Sequence, residues 1–183
     1  MANSALLVMD VQQTIVSRFT SDPGYLARVT TAIGKARAAG VPVIYVVVGF
    51  RSGHPEVSPR NKTFRGYAMG AKAFGPDDPD AAVHPDVAPA DGDLVVTKRR
   101  VSAFAGSDLD MVLRAGGIDS LVLTGIATSG VVLSTIRQAA DLDFELTVLS
   151  DCCLDGDPEV HRVLTEKVFP RQADVLTVAD WTP

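Results

Sequence analysis

The stretch LVLTGIATSGVVLST, residues 121–135, decides the fold. It begins with consecutive apolar residues, passes through a turn that contains Gly125 and Gly130, and continues as a helical pattern. A run that is apolar on consecutive positions is typical of a parallel strand that is covered on both faces. A strand followed by a turn and a helix is the repeating unit of α/β folds. The stretch therefore predicts a parallel sheet flanked by helices.

Five further apolar runs have the same character, and helical patterns lie between most of them. The apolar runs are residues 5–9, 42–49, 93–98, 145–150 and 174–179, and the helical patterns are residues 25–40, 108–117, 129–142 and 158–169. This alternation predicts a three-layer, Rossmann-like α/β fold, in which a six-stranded parallel sheet carries helices on both faces. The length of 183 residues suits one domain over residues 1–183.

The composition favours a small-molecule partner. The chain has 17 basic and 22 acidic residues and a net charge of −5, which argues against binding to nucleic acid or to an anionic membrane. The first ten residues lack the basic segment of a signal peptide and are too short for a membrane span. We therefore expect a cytoplasmic protein.

The carboxyl ends of the predicted strands carry the candidate site, because ligands bind beyond these ends in open α/β sheets. The first strand leads to Asp10, the third ends at Lys98, and the fourth leads into the turn 125–130. Each feature has a structural alternative. Asp10 and Gln13 match a helix capping box, Lys98 could be a solvated strand end, and Val131 could be core packing. The three ends together predict a site.

The stretches LLVMDVQ, VVTKRRVSAFAGSDLDMVLRAGGIDSLVLTGIATSGVVLSTIRQAA and LSDCCLDGDPEVHRVL resemble the isochorismatase-like, or cysteine hydrolase, superfamily. The resemblance covers nearly the whole chain and implies a hydrolase with a six-stranded parallel sheet. It also implies assembly into a homodimer or a homotetramer.

The resemblance assigns roles to single residues. Asp10 falls on the family's catalytic aspartate and Lys98 on its lysine. The peptide between Ile126 and Ala127 falls where the family has a cis bond, and their turn, with Val131, is the implied oxyanion site. In the amidase branch of the family the nucleophilic cysteine stands at the position of Val131. Because valine has no attacking group, we predict a member of the family that lacks the nucleophilic thiol.

Other side chains are weak substitutes for that thiol. Ser129 lies two positions before Val131, so on a helical turn it points about 200° away, and no histidine is evidently placed to deprotonate it. The two cysteines, Cys152 and Cys153, are adjacent and are interpreted as half-buried thiols that follow a strand.

The sequence predicts no cofactor and no metal. The nicotinamidases of the superfamily carry an Asp-x-His metal motif after the second strand, where this chain reads GFRSGHPE. His54 is present there, but Arg51 and Ser52 are poor ligands. We expect His84 and His161 to lie on the surface.

The isochorismatases of the superfamily also lack the cysteine and cleave a vinyl ether by acid catalysis. By that resemblance Asp10 is the acid, while Lys98 positions it or stabilises charge on the substrate. Two alternatives remain open: an amidase whose nucleophile is water or Ser129, and a non-catalytic small-molecule-binding protein. The substrate, which we expect to be small and anionic, is predicted to contact Arg51, Arg99, Phe104, Thr128 and Ser129.

Overall fold

The computed structural model describes residues 3–19, 22–66 and 73–183. Its strands are β1 (Ser4–Met9), β2 (Val43–Val48), β3 (Leu94–Lys98), β4 (Ser120–Ile126), β5 (Glu145–Leu154) and β6 (Asp174–Leu176). They form one six-stranded sheet in the order β3-β2-β1-β4-β5-β6, and every pairing is parallel. The predicted α/β class is confirmed. Since the chain crosses over between β3 and β4, the strand order reverses beside β1, and a crevice opens there at the carboxyl ends.

Helices cover both faces of the sheet. They are α1 (Gln13–Val16), α2 (Tyr25–Ala38), α3 (Leu109–Ala115), α4 (Leu133–Asp141) and α5 (Pro158–Val163). The apolar stripe of α2 packs in a core cluster on one face, whereas α3 and α4 pack in a cluster on the other face. These clusters give the three layers that the sequence predicts. None of the helices in the described ranges has the length and apolar character that a membrane span requires.

Several element boundaries differ from the prediction. A π-helical turn, Thr128–Val132, precedes α4, and a second one, Leu164–Val168, follows α5. Strand β5 continues to Leu154, so Cys152 and Cys153 lie inside this strand and are fully buried rather than half-buried after it. A register shift between β4 and β5 at their carboxyl ends accompanies this extension.

Gly125 lies where β4 passes closest to β1. Its φ is 141°, and a Cβ at this position would overlap the Met9 carbonyl oxygen and lie 2.9 Å from Met9 Cβ. Only glycine fits, because both the conformation and the space exclude a side chain. This close approach brings the end of β1 against the turn that follows β4.

Candidate active site

Asp10 and Lys98 meet at the carboxyl ends of β1 and β3, across the end of β2. The Asp10 Oδ2 lies 2.9 Å from the Lys98 Nζ, so the two side chains converge as the predicted strand ends indicate. Both residues are buried, with relative exposures of 6% and 2%. Asp10 has a φ of 56°, which is uncommon for a residue other than glycine. The capping-box interpretation is wrong, because Gln12 is the N-terminal cap residue of α1.

The two oxygens of the Asp10 carboxyl have different surroundings. Oδ2 faces the Lys98 ammonium, whereas Oδ1 is buried and has no hydrogen-bond partner within the described part of the chain. Lys98 Nζ also donates to the Arg100 carbonyl, at 3.0 Å. Burial raises the pKa of Asp10 above its ordinary value and outweighs the opposing effect of Lys98. The site therefore favours a carboxyl group that can carry a proton.

The turn after β4 lines the same cavity as Asp10 and Lys98. The peptide between Ile126 and Ala127 is cis, as the resemblance implies. The Ala127 carbonyl accepts hydrogen bonds from the amides of Gly130 and Val132, at 3.0 and 3.3 Å. The Ser129 amide donates to the Asp155 carboxylate at 2.7 Å. These contacts fix the entry of the chain into α4, and the role of the turn amides as an oxyanion site stays a prediction.

A cavity of about 220 Å³ joins these groups. Asp10 and Lys98 line it together with Ile126, Ala127 and Val131. Its other lining residues are Ile15, Arg18, Phe19, Val48, Thr63, Phe64, Phe74, Val101 and Gly130. Val131 is also part of the core cluster that contains α4 and is 2% exposed. The three strand ends singled out in the sequence thus converge on one small cavity.

A model of the isochorismatase domain matches residues 4–180 of the chain. The chain belongs to the isochorismatase family. The isochorismatase family protein YecD of Escherichia coli O157:H7 is 32% identical, over 97% of this chain and 93% of that protein. The ureidoacrylate amidohydrolase RutB of Stutzerimonas stutzeri (strain A1501) is 33% identical, over 86% of this chain and 72% of that enzyme.

Solved structures agree with this family membership. N-carbamoylsarcosine amidase from Thermoplasma acidophilum superposes with a TM-score of 0.79 at 26% identity, and all of both chains is covered. A cysteine hydrolase from Pseudomonas syringae pv. phaseolicola 1448A gives 0.86 at 25% identity, over 97% of this chain and 90% of that chain. The chain is therefore an isochorismatase-like hydrolase with the α/β fold of this family.

Three of the side chains predicted to bind the substrate lie outside the described lining of the cavity. Arg51 is exposed and pairs with Glu56, at 3.3 Å. Arg99 donates to the Gly49 carbonyl, and its Nε lies 3.4 Å from the same Glu56 carboxylate. Phe104 packs in the hydrophobic core. Local contacts explain why these side chains do not line the cavity. Both arginines pair with the Glu56 carboxylate, and the phenylalanine is buried in the core.

Thr128 and Ser129, in the turn, are also absent from that lining. Thr128 is fully buried, and Ser129 is exposed. Their predicted contact with a substrate stays a prediction. The cavity is instead lined by Arg18 and Phe19, which follow α1, and by two further aromatic residues, Phe64 and Phe74. Sequence reasoning missed all four, although the position of Arg18 and Phe19 shortly after the Asp10 strand was a usable signal.

The two cysteines lie in the core. Burial raises the pKa of the Cys153 thiol to about 12, and it raises the pKa of Cys152 as well. Nucleophilic and metal-binding cysteines need a thiolate, which these surroundings disfavour.

Among the described residues no group of three or more histidine, cysteine or acidic side chains could hold a metal ion. The His54 ring nitrogen Nε2 lies 2.9 Å from the Ala73 carbonyl.

His161 supports the turn from the side of α5. It is half-buried, and its Nδ1 lies 2.8 Å from the Thr128 hydroxyl oxygen. His161 is therefore less exposed than the predicted surface position implies, because α5 packs beside the turn. His84 is also partly buried. Burial lowers the pKa of His161, and the Asp155 carboxylate opposes this shift.

Acidification is expected to destabilise the protein through His161. Because its pKa is lower in the folded chain than the ordinary value of about 6.5, its contribution to stability is present above that pH. The contribution is lost as the pH falls through the lower pKa of the folded state. Urea unfolding above and below about pH 6.5 should therefore show a smaller pH dependence in His161→Gln than in the wild type. An equal dependence in both proteins would contradict this expectation.

Proposed function

We propose that the protein hydrolyses a small anionic metabolite by acid–base catalysis without a cysteine nucleophile. The bond is a vinyl ether or a related C–O or C–N bond. Asp10 is the proton donor, and Lys98 stabilises the carboxylate that remains after proton transfer. A cytoplasmic location and a homodimeric or homotetrameric assembly accompany this proposal as predictions from the sequence.

One observation carries the proposal: burial and the Lys98 ammonium have opposite effects on the protonation of the Asp10 carboxyl. Burial raises the pKa of Asp10 and so favours its protonated form, and its buried Oδ1 has no hydrogen-bond partner among the described residues. The Lys98 ammonium at 2.9 Å favours the ionised form. A general acid must be protonated before the reaction and stable as a base after it. The two influences supply these two requirements in turn.

The chemistry balances with water as the only co-reactant. The protonated Asp10 transfers its proton to the terminal carbon of the enol ether, and the C=C electron pair forms the new C–H bond. Water then attacks the oxocarbenium carbon, and its proton returns to the Asp10 carboxylate. The resulting hemiketal loses its hydroxyl proton and breaks the C–O bond to the former ether oxygen, which takes up a proton, so that a carbonyl compound and an alcohol are released. No covalent enzyme intermediate is required.

A second candidate is amide hydrolysis with water as the nucleophile and Asp10 as the base. The similarity to an amidohydrolase and to an amidase favours it. Ser129 is a poorer nucleophile for this reaction, because its side chain is exposed and its amide is bonded to Asp155. Val131, on the cavity wall, provides no thiol in either case.

A substrate panel tests the proposal. Carboxylated enol ethers, ureido carboxylates, amides and esters are incubated with the protein, and the products are identified by mass spectrometry. We expect turnover of an enol ether or ester. Turnover of amides alone would favour the second candidate. Binding without turnover of any compound would contradict catalysis and support the non-catalytic alternative.

Alkylation provides the control for a hidden thiol mechanism. Because Cys152 and Cys153 are buried and their pKa values are raised, iodoacetamide should leave the native protein unmodified and the turnover intact. Both cysteines should react after denaturation in urea. Loss of turnover upon alkylation of the native protein would overturn the acid–base mechanism.

A further inference from the structure

The charged groups of the cavity are unevenly distributed. Within the described lining there are three charged side chains: Asp10, Lys98 and Arg18. Asp10 and Lys98 are buried and face each other at 2.9 Å, whereas Arg18 is exposed. The Lys98 ammonium is directed at Asp10 inside the cavity, and Arg18 places a further positive charge at its solvent side.

The rest of the cavity is mainly apolar. Three phenylalanine rings line it, those of Phe19, Phe64 and Phe74. Apart from the three charged residues, Thr63 is the one polar side chain in the described lining. Such walls suit a flat apolar body, since a buried polar group without a partner is costly. The cavity volume of about 220 Å³ corresponds to roughly seven waters at about 30 Å³ each. The ligand that enters is therefore small.

We infer that Arg18 determines substrate specificity by binding a carboxylate, which selects a small, flat-bodied monocarboxylate. The inference rests on the proposed function, in which the scissile bond lies at Asp10. A guanidinium presents a planar fork that matches a carboxylate in a bidentate manner. Its five donors allow it to bind a ligand in addition to other partners. The substrate thus lies between Arg18 at its charged end and Asp10 at its reacting end.

The other cations near the site are less suited to this role. Lys98 is held by Asp10 and by the Arg100 carbonyl. The guanidinium groups of Arg51 and Arg99 both lie within 3.4 Å of the Glu56 carboxylate. Of the three arginines, Arg18 alone belongs to the described lining of the cavity.

Binding of benzoate and benzamide tests the inference without requiring turnover. The two probes share a ring, and they differ in charge. Affinities are measured by calorimetry, and the amide shifts of Ala127 and Val131 in NMR spectra locate the probe in the cavity. We expect the wild type to bind benzoate more tightly than benzamide. Arg18→Gln should weaken benzoate by about 10- to 100-fold and leave benzamide within about 2-fold.

Arg114→Gln is the matched control, because Arg114 is exposed on α3 and pairs with Asp110. It should bind both probes as the wild type does. Equal affinity of the wild type for both probes would overturn the inference, as would equal weakening of both in Arg18→Gln. Loss of benzoate selectivity in Arg51→Gln or Arg99→Gln instead of Arg18→Gln would also overturn it. Failure of the proposed chemistry would appear as selective binding without turnover, so the two failures can be distinguished.

Discussion

Asp10→Asn is expected to lower kcat/KM by about 10⁴-fold, at the upper end of what one general acid contributes. Asparagine keeps the shape of the side chain and can still accept a hydrogen bond from Lys98, but it has no acidic proton to transfer. The measurement is the steady-state rate on the best substrate of the panel. Because the substitution removes a buried carboxyl group, the thermal unfolding of the variant is compared with that of the wild type.

Asp110→Asn is the matched control for this experiment. Asp110 is an exposed carboxylate on α3 that pairs with Arg114, and its substitution should leave the rate unchanged. Turnover by a folded Asp10→Asn variant at a rate close to that of the wild type would contradict the role of Asp10.

The pH profile separates the acid from the base mechanism. If Asp10 acts as an acid, kcat/KM falls as the pH rises through its raised pKa in the free enzyme. If Asp10 acts as a base in amide hydrolysis, kcat/KM rises through the same pKa. The sign of the slope therefore identifies the reaction class independently of the substrate panel.

Gly125→Ala is expected to destabilise the protein by about 4 kcal/mol or more, which is a large effect for one methyl group. The added Cβ would overlap the Met9 carbonyl oxygen, and this is backbone that cannot rotate away. A positive φ of 141° adds to the penalty. Relief requires β1 and β4 to separate at the centre of the sheet. Urea unfolding followed by circular dichroism measures the change in the free energy of unfolding.

Gly34→Ala is the control for this substitution. Gly34 lies within α2, and a Cβ there meets nothing within 4 Å. Alanine should therefore stabilise that helix by up to about 1 kcal/mol. Similar stability of the two variants would show that β1 and β4 tolerate a wider spacing than the structure has.

The order of elements could be predicted because apolar runs and helical patterns alternate clearly along the chain. The convergence of Asp10, Lys98 and the turn also followed from the sequence, since parallel strands end on one edge of a sheet. The Asp10–Lys98 distance of 2.9 Å is the strongest example. Lys98 ends β3 and Asp10 directly follows β1, and the ends of these strands are fixed by the hydrogen-bond register.

Contacts between loops and helices could not be predicted in this way. Arg18 follows the short helix α1, and Phe74 belongs to a long connection, so nothing in the strand register fixes their positions. Arg99 was expected at the site from its neighbour Lys98, but successive residues near a strand end point in different directions. His161 was placed on the surface because the packing of α5 against the turn is a tertiary contact.

The double placement of Val131 limits which side chains the fold accepts at the start of the helical segment after β4. The side chain faces the cavity and packs in the core at once, so a replacement must have nearly the same volume. Cysteine meets that condition, because a free thiol packs as a small hydrophobe. Valine and cysteine are therefore close to interchangeable here in volume, so that a thiol could be introduced at this position with little change to the packing of α4 against the sheet.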